Sequence, residues 1–477
     1  MIIRKADREA APLYRQVADS VGAMIDQGSF RTGDRIPSIR SLSRQLKVSI
    51  NTVKVAYSLL EDQCRIEARP QAGYYVRPRL PALPQEPDLA DHAVTPLEIT
   101  STGLVTRIML DSLEPDKVPF GAAIPAAELI PALKLNRLLA TVNRQRLQES
   151  VNYATGAGSL RLRSQIARRM ITAGCTLNPD ELIITTGASE AVFLALRSTC
   201  RPGDTIAVGT PIYFSFLQMF QELGLRVLEI PSSPSSGLHL DTLGQALERQ
   251  TVQACLVISN VNNPLGICLS DQKKQKLVQL LEEHDVPLIE DDINGDLSFS
   301  DQRPSVAKAW DRNNRVLLCS SFSKTLAPGY RVGWVAPGRY QERLLRLKLT
   351  TNIASPSPTQ LAVAEFLNSG GYEHHLRSIR RAYRTKVLQM SAAVGHCFPP
   401  GTRISRPEGG FTLWVELPAR VDTIDLYRRA IKLGISFAPG AVFSTSQNHS
   451  NCLRLNAAFW SDEHHWAISR LGELAAA

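Results

Sequence analysis

Seven prolines crowd one stretch of this chain: Pro78, Pro81, Pro84, Pro87, Pro96, Pro115 and Pro119. Proline lacks an amide donor and fixes φ, so such density excludes a continuous helix or central strand and favours an extended, semi-stiff connector. The 477 residues therefore read as a head over 1–80, a linker over 81–119 and a body over 120–477. Charge divides at the same place. Residues 1–80 hold 14 Lys/Arg against 8 Asp/Glu, a net of +6, whereas the remaining 397 hold 40 against 37, a net of +3. A small basic head on a nearly neutral body predicts a polyanion partner for the head alone.

Apolar content of 44% and charged content of 21% are those of a soluble globular protein with a sizeable core. Met1 to Ala10 lack the apolar core of a signal peptide, and no run of about 18 apolar residues occurs, so no membrane association is expected. Eight cysteines lie scattered with no C-x-x-C pair. That pattern argues against a metal site or a disulfide framework and fits a reducing cytoplasm.

In the head, Leu13, Val17, Val21, Met24 and Ile25 recur at helical spacing and predict an amphipathic helix over 12–27. Ser38 is placed to cap a second helix carrying Ile39, Leu42 and Leu46, with Arg40, Arg44 and Gln45 on its other side. After a tight turn at Lys47-Val48, Ser49 is placed to cap a third helix that buries Val53, Ala56, Leu59 and Leu60 and exposes Ile50, Asn51 and Lys54. The segments 65–69 and 74–77, joined through Pro70 to Gly73, read as a hairpin. Two short helices across a tight turn, the second opening on polar residues, describe a helix-turn-helix with a wing. The stretches PLYRQVADSV, GDRIPSIRSLSRQL, VSINTVKVAYSLLE and GYYV together resemble the winged-helix domain of the GntR family. The resemblance implies double-stranded operator DNA as partner, with Arg40, Ser49, Asn51, Thr52, Lys54 and Gly73 at phosphates or bases. Two positions depart from that family. Ile50 stands where Arg is frequent, and Lys47 where Gly is usual; a left-handed backbone there would cost a non-glycine on the order of 1 kcal/mol.

From Phe120 onward, helices alternate with short apolar strands, the mark of an α/β domain. The run Val316-Leu317-Leu318-Cys319 reads as a buried strand and leads into Ser320-Ser321-Phe322-Ser323-Lys324, with Arg331 seven residues beyond. A lysine at a strand end between hydroxyls suits pyridoxal 5'-phosphate: the amine forms an imine, while the serines and the arginine hold the phosphate. Five further stretches accompany it. Ile183-Ile184 precedes Gly187, Ala188 and Ser189, whose amides open a helix and offer an anion site. Tyr213 follows the strand Ile206-Ala207-Val208 and could stack on a flat heteroaromatic ring. Asn263, after Leu256-Val257-Ile258, could donate to a phenolate oxygen, or simply form an Asn-Pro turn. Asp291 ends the strand Val286–Glu290, where a carboxylate would keep a pyridine nitrogen protonated. Arg454, between Leu453 and Leu455, carries a planar fork that matches a carboxylate; a surface arginine is the equal alternative.

The order phosphate loop, stacking ring, Asn, Asp, Lys, Arg resembles that of fold-type I class I aminotransferases, as do Tyr153-Ala154-Thr155-Gly156 and Glu408-Gly409-Gly410-Phe411. The resemblance implies that Lys324 and Asp291 are the catalytic pair and that Asn263 donates to the phenolate oxygen. It implies that Ser321, Ser323, Arg331, Gly187, Ala188 and Ser189 surround the phosphate and that Tyr213 stacks. Arg454 would take the effector or substrate carboxylate. Tyr153 would reach the neighbouring subunit's phosphate, hence a homodimer, and a small C-terminal subdomain would start near residue 356. Ile293 and Asn294 stand where such enzymes place a tyrosine, which leaves transaminase activity open. The whole resembles the MocR family: a small α+β winged helix-turn-helix joined to an α/β fold-type I aminotransferase-like domain. That implies a regulator sensing pyridoxal phosphate or a small amine or amino acid. Two alternatives remain, a working aminotransferase with an autoregulatory head and a repressor whose body needs no cofactor.

Overall fold

The computed structural model describes residues 12–69, 72–78, 83–88, 94–97, 103–112, 114–154, 156–446 and 448–477. Pro70 at the hairpin tip, Pro81 and the motif residue Thr155 lie outside them. The chain forms two compact units that divide between Ala82 and Leu83.

In the first unit, α1 (Leu13–Asp26), α2 (Ile39–Leu46) and α3 (Ile50–Asp62) precede an antiparallel hairpin of β1 (Ile66–Arg69) and β2 (Gly73–Val76). Both expected caps form. The Ser38 hydroxyl accepts from Ser41 N–H at 3.2 Å, and the Ser49 hydroxyl from Thr52 N–H at 3.0 Å. The buried stripe of α3 is Val53, Ala56, Tyr57 and Leu60, the i, i+3, i+4, i+7 set. Leu59, expected inside, sits half-buried beside that stripe, and Tyr57 takes its place. A tyrosine can be buried there because its hydroxyl donates to Pro37 O at 2.6 Å.

The second unit opens with a helix that proline density argues against. Residues 97–114 contain no proline, and within them α4 (Leu104–Asp111) buries Val105 and Ile108. Next, β3 (Val118–Pro119) pairs in parallel with a later strand, Val118 opposite Ile435. The described residues of the expected linker from 104 onward are thus packed structure, because Val105 and Ile108, one turn apart, share a buried helical face, while Met109 and Leu110 on the same helix stay exposed.

The main sheet is built from β4 (Ile183–Thr185), β5 (Thr205–Thr210), β6 (Arg226–Ser233), β7 (Gly237–Leu238), β8 (Ala254–Val257), β9 (Leu288–Asp291), β10 (Val316–Ser321) and β11 (Gly333–Ala336). Its order is β4-β11-β10-β9-β8-β5-β6-β7. Strands β10, β9, β8, β5 and β6 run parallel, and β11 is antiparallel to both of its neighbours. Strands buried on both faces need continuous apolar runs, as in Leu317–Cys319 and Ala254–Val257. Chain order reverses between β5 and β8, so a crevice opens outside the carboxyl ends of the strands.

A second, antiparallel sheet has the order β12 (Arg403–Ile404), β13 (Thr412–Glu416), β16 (Cys452–Asn456), β15 (Ala438–Pro439), while β14 (Ile435–Ser436) pairs with β3. Its core gathers Phe120, Leu413, Trp414, Phe437 and Phe443, together with Val105 and Ile108 of α4. The subdomain boundary expected near 356 shifts down the chain. Helix Ser357–Asn368 packs its Val363, Ala364 and Phe366 into the large-domain core with Leu162 and Ile166. Only along the 27-residue helix Gly371–Cys397 does burial change hands, from Tyr372, Leu376, Ile379 and Tyr383 in that core to Val387, Met390 and Val394 in the second.

Candidate functional site

The carboxyl ends of β4, β5, β8, β9 and β10 converge on one cleft of about 110 Å³. Ala188, Ser189, Tyr213, Asn263, Asp291, Ser323, Lys324 and Arg331 all line it. These residues come from five separate strand ends spread over more than a hundred positions of sequence.

Lys324 leaves β10 three residues after Ser321, and its Nζ donates to Ala123 O at 2.6 Å. Burial, aided by the charges of Arg454 and Arg331 and opposed by Asp291, draws its pKa down to about 8. Asp291 ends β9 nearly buried, accepting from Ile293 N–H at 3.0 Å. Desolvation pushes its carboxyl up to about 7 against that hydrogen bond.

At the helix start Ala188–Thr199, Gly187 has φ +88°, and a Cβ there would come within 2.5 Å of Arg331 Nη2. Only glycine allows both the backbone and the approach. Arg331 Nη2 donates to Thr186 O at 3.0 Å. Ser321 Oγ accepts from Ser323 N–H at 3.2 Å, so it shapes the loop and does not line the cleft. Ser323 Oγ is buried, lines the cleft and has no hydrogen-bond partner among the described residues. An orphan hydroxyl beside a helix amino terminus and an arginine fits the phosphate of pyridoxal phosphate.

Arg454 is fully buried between aromatic rings, 5.4 Å from the centroid of Phe214 and 5.3 Å from that of Phe443. Its Nη1 donates to Asn263 Oδ1 at 3.1 Å, and its other terminal nitrogen to Gly121 O. Asn263 thereby spends its carbonyl on Arg454, leaving its amide hydrogens for the cleft. Burial lowers the Arg454 pKa to about 10, and its buried Nε has no hydrogen-bond partner among the described residues. Neither strand neighbour is exposed, so alternation did not sort this strand into an apolar and a polar face.

Ile293 and Asn294 occupy the cleft wall, at the positions where the resembled enzymes place a tyrosine. The Asn294 amide is engaged with Val261 O at 3.0 Å. Tyr153 is 81% exposed and belongs to a separate surface depression with Arg146 and Arg161; its own chain does not bring it to the cleft. The Ala123 carbonyl, Phe214 and Phe443 carried no signal in the sequence. A carbonyl has no residue type, and Phe443 lies far along the chain from its partner Phe214.

On the head, Arg40, Ser49, Asn51 and Lys54 are exposed along α2 and the start of α3, while Thr52 and Gly73 are half-buried. Ser49 and Thr52 hydroxyls lie 2.8 Å apart, so capping already engages both. Lys47 closes α2 at φ 53°, ψ 41°, the left-handed conformation usual for glycine. Gly73 has φ +105°, and a Cβ would meet Arg35 Nε at 3.1 Å.

Residues 117–467 match the family aminotransferase class I and II, and residues 13–76 match the bacterial regulatory proteins of the gntR family. Over nearly its whole length the chain is similar to two uncharacterized HTH-type transcriptional regulators of Escherichia coli K12. YjiR is 38% identical over 96% of this chain and 98% of its own, and YdcR is 39% identical over 97% and 98%. Among solved structures, a multiple substrate aminotransferase of Thermococcus profundus superposes with a TM-score of 0.73 at 26% identity, covering 79% of this chain and 95% of its own. The α-aminoadipate aminotransferase LysN of Thermus thermophilus, solved with N-(5'-phosphopyridoxyl)-L-leucine, gives 0.72 at 27% identity, over 80% and 95%. The chain belongs to the HTH-type transcriptional regulators that join a gntR-family head to a class I and II aminotransferase body.

Proposed function

We propose that this protein is a cytoplasmic homodimeric regulator whose head binds operator DNA and whose body holds pyridoxal phosphate at Lys324 and answers to a small amine or amino acid. The observation that carries the reading is one cleft uniting Lys324, Asp291, the orphan Ser323 hydroxyl and the Ala188 helix start. When bound, pyridoxal phosphate supplies an aldehyde that takes up amines and a ring that draws electrons from them. A Lys324 amine poised near 8 has a larger neutral, nucleophilic fraction at physiological pH than an ordinary lysine. Asp291 keeps a proton at the ring nitrogen, and the Asn263 amide, oriented by Arg454, donates to the phenolate side. Tyr213 packs on the ring. Gly187, Ala188, Ser189, Ser323 and Arg331 surround the phosphate, with Ser321 fixing the Ser323 amide. Arg454, fully buried with its Nε unpartnered among the described residues, receives the effector's carboxylate. The exposed ring of Tyr153 is available to the partner's site.

The route from cleft to DNA runs through linker residues that belong to the second compact unit. Gln85 O accepts from Ile404 N–H at 2.8 Å, and Arg403 pairs with Asp88 at 2.6 Å, both on the small subdomain. Farther on, Leu97 exchanges backbone hydrogen bonds with Val227 of the large-domain strand β6. Movement of the small subdomain therefore displaces the root of the linker relative to Leu97. A ligand biases that movement only by its different affinity for the two positions.

The test is absorption spectroscopy of the purified protein with pyridoxal phosphate, followed by borohydride reduction and peptide mapping. Cofactor fixed at Lys324, with a band that shifts for one class of amine, is the expected result. No lysine-bound band would sink the cofactor reading and leave a repressor that dispenses with it. The retained Lys324, Asp291 and Arg454 also favour a second reading, a working aminotransferase. Turnover at about 1–1000 per second with amino and keto acids would establish that one.

A further inference from the structure

Behind the candidate phosphate loop a buried lysine pairs with a partly buried glutamate, neither of which has a role in the proposed function. Lys348 is completely buried, and its Nζ lies 3.3 Å from Glu190 Oε1, 3.1 Å from Asn352 Oδ1 and 3.0 Å from Ser355 Oγ. Glu190 is the third residue of the helix that starts at Ala188, and its carboxylate reaches back to accept the Thr186 N–H. Asn352 Nδ2 donates to Glu190 Oε1 at 2.5 Å and reaches Thr186 Oγ1 at 3.4 Å. Ser355 Oγ lies 3.4 Å from the same hydroxyl, and Arg331 holds the Thr186 carbonyl. Every polar group of Thr186, the residue before Gly187, is thus engaged by this cluster.

The arrangement contains an electrostatic conflict. A carboxylate in the first turn suits the helix dipole, but it stands beside amides meant for a doubly charged phosphate and repels that ligand. A cation buried against the carboxylate removes the repulsion while leaving the Thr186 hydrogen bond in place. Resting on the cofactor reading above, we infer that Lys348 is a positioning residue for the phosphate: it neutralises Glu190 and, with Asn352 and Ser355, locks Thr186 so that the Gly187–Ser189 amides face the ligand.

A merely structural role would affect any ligand of the cleft equally; this one depends on the phosphate. The experiment measures uptake of pyridoxal phosphate and of phosphate-free pyridoxal by the full chain, from absorbance, for wild type, K348M, E190Q and K348M/E190Q. Wild type taking up neither compound would refute the cofactor reading itself. Given wild-type uptake, K348M is expected to weaken pyridoxal phosphate by about tenfold or more and to leave pyridoxal little changed. K348M/E190Q is expected to recover most of that loss. E190Q alone is expected to raise the preference for the phosphate-bearing compound. Equal weakening of both ligands in K348M, or no weakening, overturns the inference. Should circular dichroism show K348M unfolded, E190Q decides: a phosphate preference that does not rise overturns it.

Discussion

Lys324 and Asp291 are opposite charges in one cleft, and burial works against both. A lysine held down to about 8 costs stability at low pH, and the cost is relieved as pH rises from there toward 10.5. A carboxyl held up to about 7 contributes stability that is complete below 3.8 and lost as pH rises through 7. In cofactor-free protein, Asp291→Asn should therefore gain on wild type between pH 5 and pH 8, by roughly 2–3 kcal/mol. Urea midpoints at the two pH values measure it; a constant difference would contradict the burial argument. Both residues were legible in the sequence, because a charged side chain closing an apolar strand is conspicuous. Their surroundings were not. The Ala123 carbonyl that receives Lys324 and the rings that enclose Arg454 are products of folding, with no local pattern to announce them.

Among elements, the helix-turn-helix shows how local rules and tertiary demands meet. Ser49 caps α3, so Ser49→Ala should lower the stability of the head by about 1 kcal/mol. Lys47 sits left-handed, so Lys47→Gly should raise it by up to about 1 kcal/mol. Calorimetry of the full chain, followed through the head's own transition, gives both values, and matching signs for the two would contradict the account. Caps and turns were readable because their chemistry lies within four residues. α4 was not, since proline count averaged over a long window hid a proline-free interval. Nor was the change of core along Gly371–Cys397: one continuous apolar face serves two domains, and its periodicity does not say which.

For the whole molecule, the uneven charge assigns DNA to the head. Removing one phosphate-binding side chain should flatten the dependence of log affinity on log salt by about 0.9. Full-length protein carrying Arg40→Ala and Lys54→Ala should thus show a slope shallower by about 2 in fluorescence polarisation with duplex DNA. An unchanged slope would move the DNA-binding surface elsewhere. The division into head and body was legible from proline and charge, whereas the attachment of residues 85–88 to the small subdomain and of Leu97 to the large domain was not. Those are backbone and single-pair contacts between segments remote in sequence. They anchor residues 85–88 to the small subdomain and Leu97 to the large domain, and the proposed coupling of effector to DNA runs through them. It is tested most directly by titrating a duplex selected by the protein itself from a random pool, with and without pyridoxal phosphate and the amine that shifts its spectrum. Wild type should change affinity when the amine is added and Lys324→Ala should not; an equal response in Lys324→Ala, or none in wild type, would contradict the account.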